Sequence, residues 1–85
     1  PTGVSANRSG SSVTISWSPA APAVELGYLI EARICTGGYQ FDVAYTTTNT
    51  SYTVTDESGC GADSYGKVRV QNKLGYSTAV NIPWP

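Results

Sequence analysis

Ser12-Val13-Thr14-Ile15-Ser16-Trp17-Ser18 decides the fold. Apolar Val13, Ile15 and Trp17 alternate with hydroxyl-bearing Ser12, Thr14 and Ser16. A period of two sends successive side chains to opposite faces, so this stretch predicts a strand with one buried face. Pro19 follows at once and stops the run, because proline cannot donate to a ladder. The same alternation recurs outward in both directions. Val4 and Ala6 form a short first strand. Tyr28, Ile30, Ala32 and Ile34 alternate with Leu29, Glu31, Arg33 and Cys35. Tyr39, Phe41, Val43 and Tyr45 follow, then Tyr52 and Val54, Val68 and Val70, Val80 and Ile82. These runs are rich in β-branched and aromatic residues. Turn signals separate them: Asn7 to Gly10, Pro19 to Pro22, Gly37-Gly38, Thr48-Asn49, Ser58 to Asp63 and Asn72 to Gly75. No helical period is sustained. The pattern predicts an all-β antiparallel sandwich of seven strands, with Trp17, Tyr28 and Tyr52 in the core.

The chain has 85 residues, enough for one domain spanning 1–85 with a thin core. Pro1 and the Ile82-Pro83-Trp84-Pro85 tail read as linker stubs at its two ends. Charged residues make up only 13 %, and five basic against six acidic side chains leave a net charge of −1. This balance speaks against a nucleic-acid partner, which a basic face would serve. No apolar run is long enough to span a bilayer.

With no His, there is no triad base, no imidazole metal ligand and no pH switch near neutrality. Ser and Thr are plentiful but weak nucleophiles without an adjacent base. Asp56, Glu57 and Asp63 crowd one loop, where carboxylates and carbonyls offer oxygens for Ca²⁺; a solvated acidic loop is the simpler reading. No cofactor or metal is expected. Tyr39, Tyr45, Tyr76 and Trp84 are candidates for an exposed aromatic contact surface, able to stack on sugar rings or to meet a neighbouring protein. Asn7-Arg8-Ser9 and Asn49-Thr50-Ser51 are glycosylation sequons at expected turns. Cys35 and Cys60 allow either one bridge or two free thiols. A bridge would close a loop of about 25 residues, worth on the order of 3 kcal/mol, and the Ser/Thr-rich composition favours an oxidising compartment.

Several of these stretches together resemble the fibronectin type III family. Pro1 through Val4 and Ala6 resemble its opening strand. Ser12 to Pro19 is similar to the second strand with its buried Trp. Gly27-Tyr28-Leu29-Ile30-Glu31 is similar to the start of the third, and Thr50-Ser51-Tyr52-Thr53-Val54 to the fifth. Val68 to Ser77 resembles the segment that turns into the last strand. The family's tyrosine corner is missing. Ser64 stands four residues before Val68, and Tyr65 is displaced by one, which sends its side chain to the other face. The resemblance puts Cys35, at the end of the third strand, at the same pole as Cys60, and so implies a Cys35–Cys60 disulfide in place of that corner. It also implies a non-catalytic extracellular module with termini at opposite poles, which spaces or attaches neighbouring domains or subunits. Two other expectations are a carbohydrate-binding accessory module of a secreted polysaccharide-degrading enzyme and a self-assembling subunit of an extracellular fibre. In the last, edge strands would pair between chains.

Overall fold

The structure, a computed structural model, describes residues 1–61, 64–77 and 79–85. Its strands are β1 (Thr2–Ser9), β2 (Ser12–Ser18), β3 (Gly27–Thr36), β4 (Tyr39–Thr47), β5 (Ser51–Thr55), β6 (Tyr65–Asn72), β7 (Gly75–Tyr76) and β8 (Val80–Asn81). They form two antiparallel sheets. One has the order β1-β2-β5; the other runs β4-β3-β6-β7, with β8 also on β6. The expected seven strands become eight because the last edge is split. Gln71 pairs with Tyr76, but Val68 pairs with Val80, so the register slips by one residue between β7 and β8. A continuous strand cannot absorb that slip without a bulge.

The alternation works as read. Val13, Ile15 and Trp17 of one sheet face Tyr28, Ile30, Ala32, Ile34, Val68 and Val70 of the other, and all are buried. Val13, Ile15, Ile30 and Val68 are fully inaccessible, each worth roughly 1.5–3 kcal/mol of burial. Trp17 meets Tyr28 edge to face, with centroids 5.1 Å apart, and this contact joins the sheets. Tyr45 stacks on Tyr52 at 4.9 Å and joins them again where the edge strands β4 and β5 meet.

Turn chemistry sets the hairpins. Thr36 pairs with Tyr39, so Gly37 and Gly38 are the two central turn residues, with φ of 61° and 82°. Positive φ at both positions is the type I′ geometry that matches strand twist, and glycine adopts it without strain. The first turn is narrower than expected. Ser9 pairs with Ser12, so β1 runs through Asn7 and only Gly10-Ser11 turns.

The C-terminal tail also departs from expectation. It is docked against the core instead of forming a free stub. Ile82 is buried in the core, and its N–H donates to the Gly66 carbonyl. Trp84 packs partly buried against the core. Gly66 makes room for it: a Cβ there would lie 3.0 Å from Trp84 Cζ3, Ile82 Cδ1 and the Glu31 carbonyl oxygen. Gly66→Ala is therefore expected to destabilise the domain by roughly 1–3 kcal/mol through overpacking. Denaturant titration reads the loss, and a shifted Trp84 indole N–H resonance locates it.

Candidate functional site

Three rows of inward-facing side chains run toward one pole of the sandwich: Val4-Ala6-Arg8, Tyr52-Val54-Asp56 and Val80-Ile82-Trp84. Val4, Ala6, Tyr52, Val54 and Ile82 belong to the core or pack against it, while Val80 stays 38 % exposed. The last member of each row is polar or has a polar edge, and these three meet. Asp56 is 1 % exposed. Its Oδ2 accepts from Arg8 Nη2 at 2.6 Å and from Trp84 Nε1 at 2.9 Å. Its Oδ1 accepts from the Cys35 N–H and from Ser64 Oγ, both at 2.8 Å. Arg8 Nη1 also donates to the Asp56 carbonyl oxygen at 2.6 Å. The Asp56 N–H donates to the Ser11 carbonyl. Burial alone would raise the pKa of this carboxyl. The donors from Trp84, Cys35, Ser64 and Arg8 outweigh burial and hold it below the ordinary carboxylate range.

The disulfide lies beside this carboxylate. Cys35 and Cys60 are bonded, with Cα atoms 6.0 Å apart, inside the usual span for a bridge. The Glu57 N–H donates to the Cys35 carbonyl, and Glu57 Oε1 accepts the Gly37 N–H at 2.7 Å. One sulfur bridge and one carboxylate thus tie together β1, the end of β3, the segment after β5, the start of β6 and the tail. Ser64, where the fibronectin type III resemblance would place a tyrosine, contributes a hydrogen bond to Asp56. Tyr65 points outward, 55 % exposed, with the Arg33 guanidinium 6.0 Å from its ring centre.

The acidic-loop reading of Asp56 and Glu57 is corrected here. Asp56 is a buried acceptor, not a solvated carboxylate, while half-buried Glu57 has one oxygen on the β3–β4 turn in an exposed hydrogen bond. Asp63 lies outside the described residues. Among the described residues, no three His, Cys, Asp or Glu side chains converge on a common point.

The four candidate aromatics do not make one surface. Tyr45 is half-buried against Tyr52, and Trp84 is half-buried over Gly66 and hydrogen-bonded to Asp56. Tyr39 and Tyr76 are exposed, at 71 % and 50 %, but they occupy opposite edges of the larger sheet. Tyr39 pairs with Thr36 in the inward row, and Tyr76 pairs with Gln71 in the outward one. A flat aromatic row for sugar stacking needs rings on one face, and these fall on two. Of the sequons, Asn49 lies exposed in the β4–β5 loop, with its N–H donating to Thr47 Oγ1. Asn7 is exposed but sits within β1, paired with Thr14.

The pole opposite the disulfide has a different character. Val24 and Leu26 of the β2–β3 loop and Leu74 of the β6–β7 turn are 59 %, 53 % and 100 % exposed. With Ala23, Asn72 and Lys73 they line a shallow apolar depression. The Pro1 nitrogen lies 3.4 Å from Glu25 Oε1 of the same loop. Pro85 lies at the other pole, where its carbonyl oxygen is 3.4 Å from Arg8 Nη2. The molecule extends 41 Å along its longest axis. No helix among the described residues is long and apolar enough to cross a membrane.

No family model matches the chain, and no curated protein matches it. Solved structures do. One contains titin kinase and its flanking domains; it superposes with a TM-score of 0.68 at 24 % identity over 98 % of this chain. This chain spans 16 % of that one. Another is a myokine structure, with a TM-score of 0.65 at 20 % identity, covering 100 % of this chain and 95 % of the other. At these identities the likeness establishes a shared all-β fold.

Proposed function

We propose that this chain is a fibronectin type III-like, non-catalytic extracellular module that spaces and orients neighbouring domains or subunits. The observation that carries the reading is the placement of the ends. Pro1 sits beside Glu25 at one pole and Pro85 beside Arg8 at the other, on a body 41 Å long. A neighbour joined at either end is held one body-length from the next. The apolar depression at Val24, Leu26 and Leu74 supports docking of a preceding unit, because exposed patches rimmed by polar residues mark contact sites. The Cys35–Cys60 bridge supports an oxidising, extracellular setting. The flanking domains in the titin kinase structure support the module role by likeness of fold.

The test joins two copies of the chain, Pro85 to Pro1, and measures the product by small-angle X-ray scattering. A spacer gives an elongated particle of about twice the 41 Å length. A compact particle, with the copies folded back on each other, would remove the reading. The same chain is sedimented with insoluble polysaccharides; retention there would favour the carbohydrate-binding alternative.

A further inference from the structure

Two open sheets present four edges, and each exposes backbone N–H and C=O groups that a foreign strand can use. Three of the four carry features that blunt them. β1 has a register irregularity between Thr2 and Ser5, with Gly3 at a φ of 60°. β5 is only five residues long. The β7–β8 edge consists of two two-residue strands in different registers. The fourth edge, β4, has none of these. It runs nine residues and pairs with β3 at every position without a slip. It holds no Gly, Pro or Lys, and its one charge, Asp42, is bound by Arg33 at 2.9 and 3.2 Å. Its inward row is also incompletely covered. Phe41 pairs with buried Ile34 yet is 50 % exposed, and Tyr39 is 71 % exposed. The smaller sheet covers Tyr45 and Val43 and leaves the other end of the row open. The bare edge and the uncovered aromatic rings are therefore on the same strand.

We propose that β4 is a self-pairing edge: two copies of this chain join antiparallel along Tyr39–Thr47 into one continuous sheet. The sequence of the strand selects a second copy as occupant. Symmetric pairing that keeps both cores on the same side places each residue opposite one of the same parity. Centring on Val43 uses all nine residues. Phe41 then lies opposite the second copy's Tyr45, and Tyr39 opposite its Thr47. Asp42 lies opposite Ala44, so no like charges meet. Centring one residue earlier would set Asp42 against Asp42 and shorten the ladder. A single strand pair is a small interface, so the dimer belongs at the weak end of specific association.

Sedimentation velocity and amide NMR spectra from micromolar to millimolar chain concentration test this. The expected result is a concentration-dependent dimer whose amide shifts move within residues 39–47. Ala44 supplies a test of the register. Ala44→Asp places a carboxylate opposite Asp42 twice per dimer and should weaken association roughly two- to thirty-fold. Ala44→Lys, of opposite sign at the same site, should preserve or tighten it. Phe41→Lys should abolish it, and Tyr76→Lys on the far edge should not affect it. Circular dichroism confirms that each variant stays folded. A monomer at millimolar concentration overturns the proposal. So do shifts confined to another edge or to Val24, Leu26 and Leu74, or equal responses to the two charges at position 44. The module reading stands apart from this result, since a strictly monomeric chain still separates its neighbours.

Discussion

Replacing Asp56 by Ala is expected to destabilise the domain by about 3 kcal/mol and to lower its melting temperature by more than about 10 °C. The magnitude follows from what is stranded. Trp84 Nε1, the Cys35 N–H and Ser64 Oγ each lose a buried acceptor, at about 1 kcal/mol apiece. Arg8 adds little, because its side chain is 33 % exposed and can return to water. A domain of this size has roughly 4–13 kcal/mol in all, so the variant sits near its folding threshold. Asp56→Asn keeps the shape and one acceptor and should lose less. The acid limb separates charge from shape. The folded pKa of Asp56 lies below its unfolded value. Its contribution is therefore complete above about pH 4 and drains away as pH falls through the folded pKa. Urea titrations stepped downward from pH 5 should show this loss in the parent chain and a flatter acid limb in Asp56→Asn. An unchanged limb would mean that Asp56 is not the charged acceptor described above.

Reduction of Cys35–Cys60 is the second large effect. The bridge spans 25 residues of sequence, and the loop-entropy relation assigns such a closure about 3.5 kcal/mol at 25 °C. Unfolding titrations with and without a thiol reductant should differ by this amount. The two effects should not add. The Cys35 N–H donates to Asp56, so relaxing one tie disturbs the other, and a double perturbation at one site couples. A difference below about 1 kcal/mol on reduction would show that Asp56 holds the pole without the sulfur.

The fold was legible because apolar alternation is strong and each hairpin has its turn residues. Gly37-Gly38 and the Ser12–Ser18 run leave little choice of partner or face. Asp56 was legible in principle: it continues the parity of Tyr52 and Val54, just as Arg8 continues Val4 and Ala6. Its neighbours Glu57 and Asp63 drew attention to the loop's charge and away from that parity. Trp84 was hidden by Pro83 and Pro85, which suggest a linker; a tail with proline on alternate positions can still lie along a sheet edge, as Ile82 does with Gly66. The solvent exposure of Phe41 was not readable from β4 at all. It depends on the width of the opposite sheet, which no local pattern encodes.

The covalent tie and the four-donor carboxylate sit at one extremity of the body, while the other, among the described residues, is closed by turns, loops and the Pro1–Glu25 contact. Opening motions are consequently unequal along the long axis. Amide protons of Cys35 and Asp56 are expected to exchange only when the whole domain opens, and those around Val24 and Leu74 through smaller excursions, which hydrogen-exchange rates would read. The protein is a tongue clamped at its root, and whatever meets the free tip meets the part best able to adapt to it.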